Sequence, residues 1–504
     1  MKSFPMRVVA LLASAALLSV TACSAGSGTS SGGSSPGGGQ NLSIGLVAEP
    51  ASLDFTTTDG AAIPQVLLGN VYETLVKQDD SGKIVPSLAK SWTVSPDRKT
   101  YTFDLVDNAK FTGGKKFTAS DAVFSINRVK TAWTISLKSA MDVVSAAKAV
   151  SPTQLQVTLT KPSNDWLFRM TTRIGAMFSE TGVSALATAP VGTGPFKFSK
   201  WNRGDSIVLA RNDDYWGTKP NFAQITLKYF KDATALNNAL LTGTINVIGT
   251  VQAPEALSQF TSNSKYQVIE GTTNGEVLLS FNNSRPVFKD IRTRQAIRMA
   301  IDHKALLDTC WAGRGKLIGS MVPPTDPWYE DLTGIAPYDL AKAKSLLQAS
   351  GAAGQTLRLR LPTLPYATSC GQVVKSDLEQ AGLKVQIDQL EFPAAWLTTV
   401  FKNADYDMSI IAHVEPRDLG AVFGNPKYYT RYDDPTLQAD LAAADAGDEA
   451  TQVAEMKKAA RRLSEQAAGD WLFLLPNLMV ADKDIKGLPT NAITENFDLS
   501  KLSR

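Results

Sequence analysis

The chain has 504 residues, 43% of them apolar and 20% charged, with 51 basic and 48 acidic side chains for a formal charge of +3. That balance, about +1 once Lys2 and Arg7 leave with a leader, gives nucleic acid no electrostatic footprint, and no internal apolar run approaches the roughly 20 residues that span a bilayer. The only histidines are His303 and His413, so a multi-histidine metal site is excluded and a Ser-His-Asp triad would have to use one of these two.

Lys2 and Arg7 precede an apolar stretch at 8–20, the pattern of an export signal too short to span. Val20-Thr21-Ala22-Cys23 resembles the lipobox of bacterial lipoproteins, which assigns residues 1–22 to a signal peptide and Cys23 to lipidation. An ordinary small-residue cleavage site beside an incidental cysteine is the alternative. Residues 23–40, nearly all Gly and Ser after the cysteine, are expected to form a flexible tether with a mean reach of about 20–25 Å. Anchor and tether together would hold the folded body just outside the membrane. In that oxidising compartment Cys310 and Cys370 form either a disulfide or two separate buried thiols.

From residue 41 the segments TYTFDLV (100–106), QLQVTLT (154–160), DSIVLAR (205–211) and QITLKYF (224–230) alternate apolar and polar residues and read as strands. The glycines at 113–114 and 192–194 lack the spacing of a phosphate loop and read as turns. Ala296, Ile297, Ala300 and Ile301 give residues 291–310 one apolar helical face. A second helix spans 339–350, with Asp339 as N-cap and Gly351 as stop. Residues 357–412 read strand, helix to Gly382, strand, helix, strand, a βαβαβ unit that implies a parallel sheet with right-handed crossovers. Ligands of such sheets sit beyond the carboxyl ends of the strands. The segment IIAHVEPRD (410–418) therefore puts His413, Val414, Glu415, Arg417 and Asp418 at a candidate site. A long helix at 449–468 and a buried strand, WLFLL (471–475), follow.

Five segments, in order, resemble the extracytoplasmic solute-binding proteins of ABC importers, family 5, and its actinobacterial dipeptide-binding branch. They are PSLAKSWTVSPDRKTYTFDLVDNAKFTGGKKFTASDAVFSINRV (86–129), GTGPFKFSKWNRGDSIVLARNDDYWGTKP (192–220), LLTGTINVI (240–248), FKDIRTRQAIRMAIDHKAL (288–306) and YDLAKAKSLLQASG (338–351). The resemblance implies an α/β, two-lobed periplasmic-binding-protein fold of type II (cluster C). Lobe I would span 41–272, including an extra domain at about 73–186; lobe II would span 273–480, and residues 481–504 would return to lobe I. It also implies a monomeric receptor on the outer face of the membrane that binds short peptides between the lobes and presents them to the permease subunits, without catalysis, cofactor, metal or nucleic acid.

Peptide-binding members of that family pair the ligand's α-amino group with an acid just after the strand that ends near 412. Here the usual aromatic position is His413 and the usual aspartate position is Pro416, with Glu415 and Asp418 on either side. Either acid would take over the anchor, or the ligand lacks a free amino end, or both acids belong to a solvated turn. The resemblance places Phe392 against the ligand as a flat apolar wall, with core packing as the alternative. It places Asn274 and Gly275 at the start of a cleft-lining strand and Ala61 and Ala62 on the opposite wall, with an ordinary turn or strand start as the alternative for both pairs. It leaves Arg417 as a partner for a ligand carboxylate or a surface arginine. His413 is a ligand-stacking group or a satisfied histidine at a strand end. Because the acidic position departs from the family's pattern, receptors for haem, nickel chelates or oligosaccharides stay open. A surface hydrolase would need His413 as its base, and no GxSxG or HExxH motif supports one.

Overall fold

The computed structural model describes residues 40–504; the expected signal peptide, Cys23 and the tether up to residue 39 lie outside them. A ten-stranded sheet runs through the described chain. At its centre lie two long antiparallel strands, Tyr266–Phe281 and Gly469–Asp482. On one side the sheet continues through Met408–His413, Thr356–Pro362 and Lys384–Leu390. On the other it continues through Val247–Ile248, Asn41–Leu46, Gln224–Tyr229, Ser206–Arg211 and Phe196–Asn202. The register of the long pair slips between Thr272 and Glu276. An irregularity of this kind bends a sheet, and here it separates the half that carries the first lobe from the half that carries the second.

The second lobe is the parallel unit read from the sequence. Thr356–Pro362 pairs in parallel with both Lys384–Leu390 and Met408–His413. The crossover helix Pro365–Ala381 stops at Gly382, whose φ of 104° suits only a residue without a side chain. Helices and loops cover both faces of this half-sheet, so Met408–His413 is buried at five of its six residues. Cys310 and Cys370 form a disulfide beneath it, with Cα atoms 5.0 Å apart.

In the first lobe an antiparallel four-stranded sheet, ordered Ala89–Val94, Thr100–Leu105, Gln154–Leu159, Val144–Ser151, packs through its alternating apolar residues into the same core as the main half-sheet. Phe55, Tyr72, Trp133 and Phe178 form an aromatic cluster within that core. The last residues of the chain return to this lobe. Asn70 Nδ2 donates to the Phe497 carbonyl at 2.8 Å, and Gly271 approaches so closely that a Cβ there would lie 1.9 Å from the Thr490 oxygen.

Three elements differ from the sequence reading. Residues 291–310 form two helices, Ile291–Ala300 and His303–Cys310, because Asp302 leaves helical geometry and caps the second one through the Ala305 N–H at 3.0 Å. Asn274 and Gly275 do not start a strand but lie within Tyr266–Phe281, at its register slip. WLFLL is the first part of a strand of 14 residues. No helix among the described residues is long and apolar enough to cross a membrane.

Candidate functional site

The loop after Met408–His413 lies where the two lobes meet, and three side chains of the first lobe grip it. Arg169, at the end of the helix Asn164–Arg169, donates to the carbonyls of Pro416 and Arg417 at 3.2 and 2.9 Å. Phe168 stacks under the Arg417 guanidinium at 4.0 Å, with Trp328 at 4.7 Å and Asp326 at 3.6 Å also against it. Arg173 reaches Glu415 at 3.4 Å while pairing with Glu495 at 2.7 Å. These contacts hold Arg417 at a φ of 55°, a left-handed conformation that costs a residue with a side chain about 1–2 kcal/mol. Farther along the seam, Ser163 donates to Asp445 at 2.7 Å and Asn164 to the carbonyls of Ala444 and Gly447 at 2.9 and 2.8 Å. The lobes are therefore closed on each other.

Behind the loop is a buried polar cluster. His413 contacts the Tyr429 hydroxyl through Nε2 at 2.8 Å and Asp418 through Nδ1 at 3.4 Å, and its ring stacks on Tyr429. Glu276 is the cross-strand partner of His413. One carboxylate oxygen of Glu276 and one of Asp418 have no hydrogen-bond partner. Burial, and then the nearby Asp418 carboxylate, push the Glu276 carboxyl well above its ordinary range. Burial also raises Asp418 against the opposing pull of His413, and raises Asp326 to about 6 despite Arg417.

The folded protein therefore keeps a proton on Glu276 that the unfolded chain releases above about pH 4.5. Because the folded state binds more protons there, stability falls as pH rises from that value through the raised folded pKa. Glu276→Gln keeps the shape and a donor while removing the titration. Its unfolding free energy, from urea titrations, is expected to exceed wild type by about 1–3 kcal/mol at pH 8 and to match it near pH 4. An equal difference at both pH values would show that another group titrates.

A cavity of about 980 Å³ opens beside the loop, with Gly60, Ala61 and Arg173 on the first-lobe side and Phe392, Trp396 and Tyr428 on the second. His413, Val414, Glu415, Arg417 and Asp418 all border it. Ala62, Asn274 and Gly275 do not. Asn274 is buried, with its amide donating to the Ile493 carbonyl at 2.8 Å, and the Gly275 N–H is taken by the Thr273 hydroxyl at 2.8 Å. Asn274 thus belongs to the packing between the long strand and the C-terminal return, and Gly275 lies against Leu475 of the neighbouring strand. Arg417, clamped between two rings and beside an acid, is neither a free carboxylate partner nor a surface arginine. His413, 7% exposed, bonds the Tyr429 hydroxyl through Nε2 and faces Asp418 through Nδ1 at 3.4 Å.

Sequence reasoning overlooked Arg169, Arg173, Glu276, Asp59 and Glu495. The available signal was two arginines four residues apart in DWLFRMTTRIG (165–175), among Trp166, Leu167, Phe168, Met170 and Ile174. Their partners in the loop at 415–417 stand more than 240 residues away, beyond any local pattern.

The model of the bacterial extracellular solute-binding proteins, family 5 Middle, matches residues 83–432. The nickel-binding periplasmic protein of Escherichia coli (strain K12) is 32% identical over 352 residues, 63% of this chain and 65% of that protein. The dipeptide-binding protein of the same organism is 26% identical over 371 residues, covering 67% and 68%. The periplasmic binding protein DppA from Helicobacter pylori, solved in complex with the peptide STSA, superposes with a TM-score of 0.84 at 22% identity. That superposition covers 92% of this chain and 98% of DppA. The family match extends across most of a chain with this two-lobed fold: the chain belongs to the bacterial extracellular solute-binding proteins of family 5.

Proposed function

We propose that the chain is a lipid-anchored receptor that captures short peptides by their amino end between its lobes and delivers them to an ABC permease. The observation that carries the reading is Glu415, whose side chain is 30% exposed at the seam of the lobes and borders the cavity. Asp59 borders the same space, and burial raises its carboxyl against the pull of Arg173. An ammonium entering here would meet two acids in a partly desolvated site, where a charge needs a charged partner. The cavity volume suits a ligand of several residues better than a bare ion. A relative named for dipeptide binding supports the same reading. Native mass spectrometry of the protein purified from its cells tests it, with a co-purified peptide as the expected result.

One observation favours a nickel species as cargo instead. His413, Glu415 and Asp418 offer ligand atoms that all lie within 4.8 Å of one another, a donor set of imidazole and carboxylates suited to a divalent transition metal. The E. coli relative named for nickel binding points the same way. A nickel-bearing species in the mass spectrum, with no peptide, would replace the peptide reading.

The anchor rests on the lipobox-like residues and the Gly/Ser run. Cys23→Ala is expected to move the protein from the membrane pellet to the soluble fraction; a variant that stays in the pellet would contradict the lipid assignment.

A further inference from the structure

We propose that the cleft reads its ligand by a cationic end and offers no buried seat to an anionic end. The proposal deepens the receptor reading and rests on it.

Among the described residues, four cationic side chains line the cavity, and the three arginines are already committed. Arg173, 1% exposed, holds Glu495, Glu415 and the Gly60 carbonyl. Arg169 holds Asp165 and two loop carbonyls. Arg417 faces Asp326 from between Phe168 and Trp328. Lys161, at the exposed rim, lies 3.9 Å from Asp445. A ligand carboxylate could use one of the three arginines only by breaking its contacts, which would strand a carboxylate or backbone carbonyl in a poorly hydrated site.

The acids show the opposite balance. Seven carboxylates line the same cavity, an excess of three over the cations. Among the described residues Asp59 has no cation within ion-pair distance, with Arg173 acting on it only from farther off, and Glu415 keeps its side chain 30% exposed beside the cavity. Each added ammonium reduces the imbalance and each added carboxylate enlarges it. Across the cavity, Phe392, Trp396, Phe401 and Tyr428 supply ring surface that receives an apolar body and also attracts cations. The ligand class that fits is an amine with an apolar body whose far end is uncharged or leaves through the rim.

The test uses the purified full-length chain and short randomised peptide pools in four terminal forms: free, C-terminally amidated, N-acetylated, and blocked at both ends. Calorimetry is expected to show amidation changing Kd by less than about threefold and N-acetylation weakening it by about thirtyfold or more. If the free form binds but amidation weakens it more than about tenfold, the carboxylate has a seat and the inference fails while the receptor reading stands. N-acetylation without loss overturns the inference as well, because the cation is then not read. If no form binds, the peptide reading falls and takes the inference with it.

Discussion

Replacing Arg173 with methionine is expected to lower the unfolding free energy by about 3–5 kcal/mol at neutral pH. The guanidinium is 1% exposed, donates through Nε to Glu495 at 2.9 Å and through Nη1 to the Gly60 carbonyl at 3.2 Å, and pairs with Glu495, whose side chain is 5% exposed. Burial opposes its charge, but Glu495 and Glu415 more than offset that, so Arg173 holds its proton more tightly than an exposed arginine. Methionine keeps the apolar stem and removes the charge, leaving Glu495 as a buried carboxylate whose remaining partner is the residue-173 N–H at 2.7 Å. Stranding one member of a buried pair costs more than the pair contributes, so Glu495→Gln added to Arg173→Met should recover most of the loss. A double-mutant cycle by urea unfolding measures that coupling. A loss below about 1 kcal/mol in the single variant would show that Glu495 is compensated by something else.

The elements that were legible in the sequence are those whose causes are local. Asp339 and Gly351 bound the helix Leu340–Ser350 as read, with the Asp339 carboxylate accepting the Lys342 N–H and Gly351 at a φ of 73°. Strands such as Thr100–Leu105 and Gln154–Leu159 announce themselves because one face is buried and the other is not. The break at Asp302 was hidden because the apolar face of Ile291–Ala300 continues in register through Ile301, and only the cap distinguishes two helices from one. The first half of Tyr266–Phe281, YQVIEGTT, is too polar to read as a strand; its partner Gly469–Asp482 and the C-terminal return make it one.

For the site, the topology rule led to the loop at 413–418 because it depends only on the order of elements. It could not divide the labour within the loop. That Asp418 turns inward to His413 while Glu415 faces Arg173 follows from the φ of 55° at Arg417, which the distant Arg169 helps to hold.

That division makes Glu415→Gln the most informative variant for binding. It is expected to weaken peptide affinity by about 2–5 kcal/mol, whereas Asp418→Asn should cost under about 1. Glu415 borders the cavity with its side chain 30% exposed, and its one cationic neighbour, Arg173, stays balanced by Glu495 if Glu415 turns to a ligand. Asp418, with a side chain 6% exposed, faces His413, so losing its charge leaves the ligand's ammonium with Glu415 and Asp59. N-acetylating the peptide should weaken wild type by a similar amount and add little to the loss in Glu415→Gln, since both changes remove the same contact. Calorimetry on the two variants with free and acetylated peptide gives the full cycle. If Asp418→Asn carries the larger loss, the anchor is the buried acid and the ligand reaches deeper than the seam. If neither variant nor acetylation changes affinity, the ammonium is not what the cleft holds.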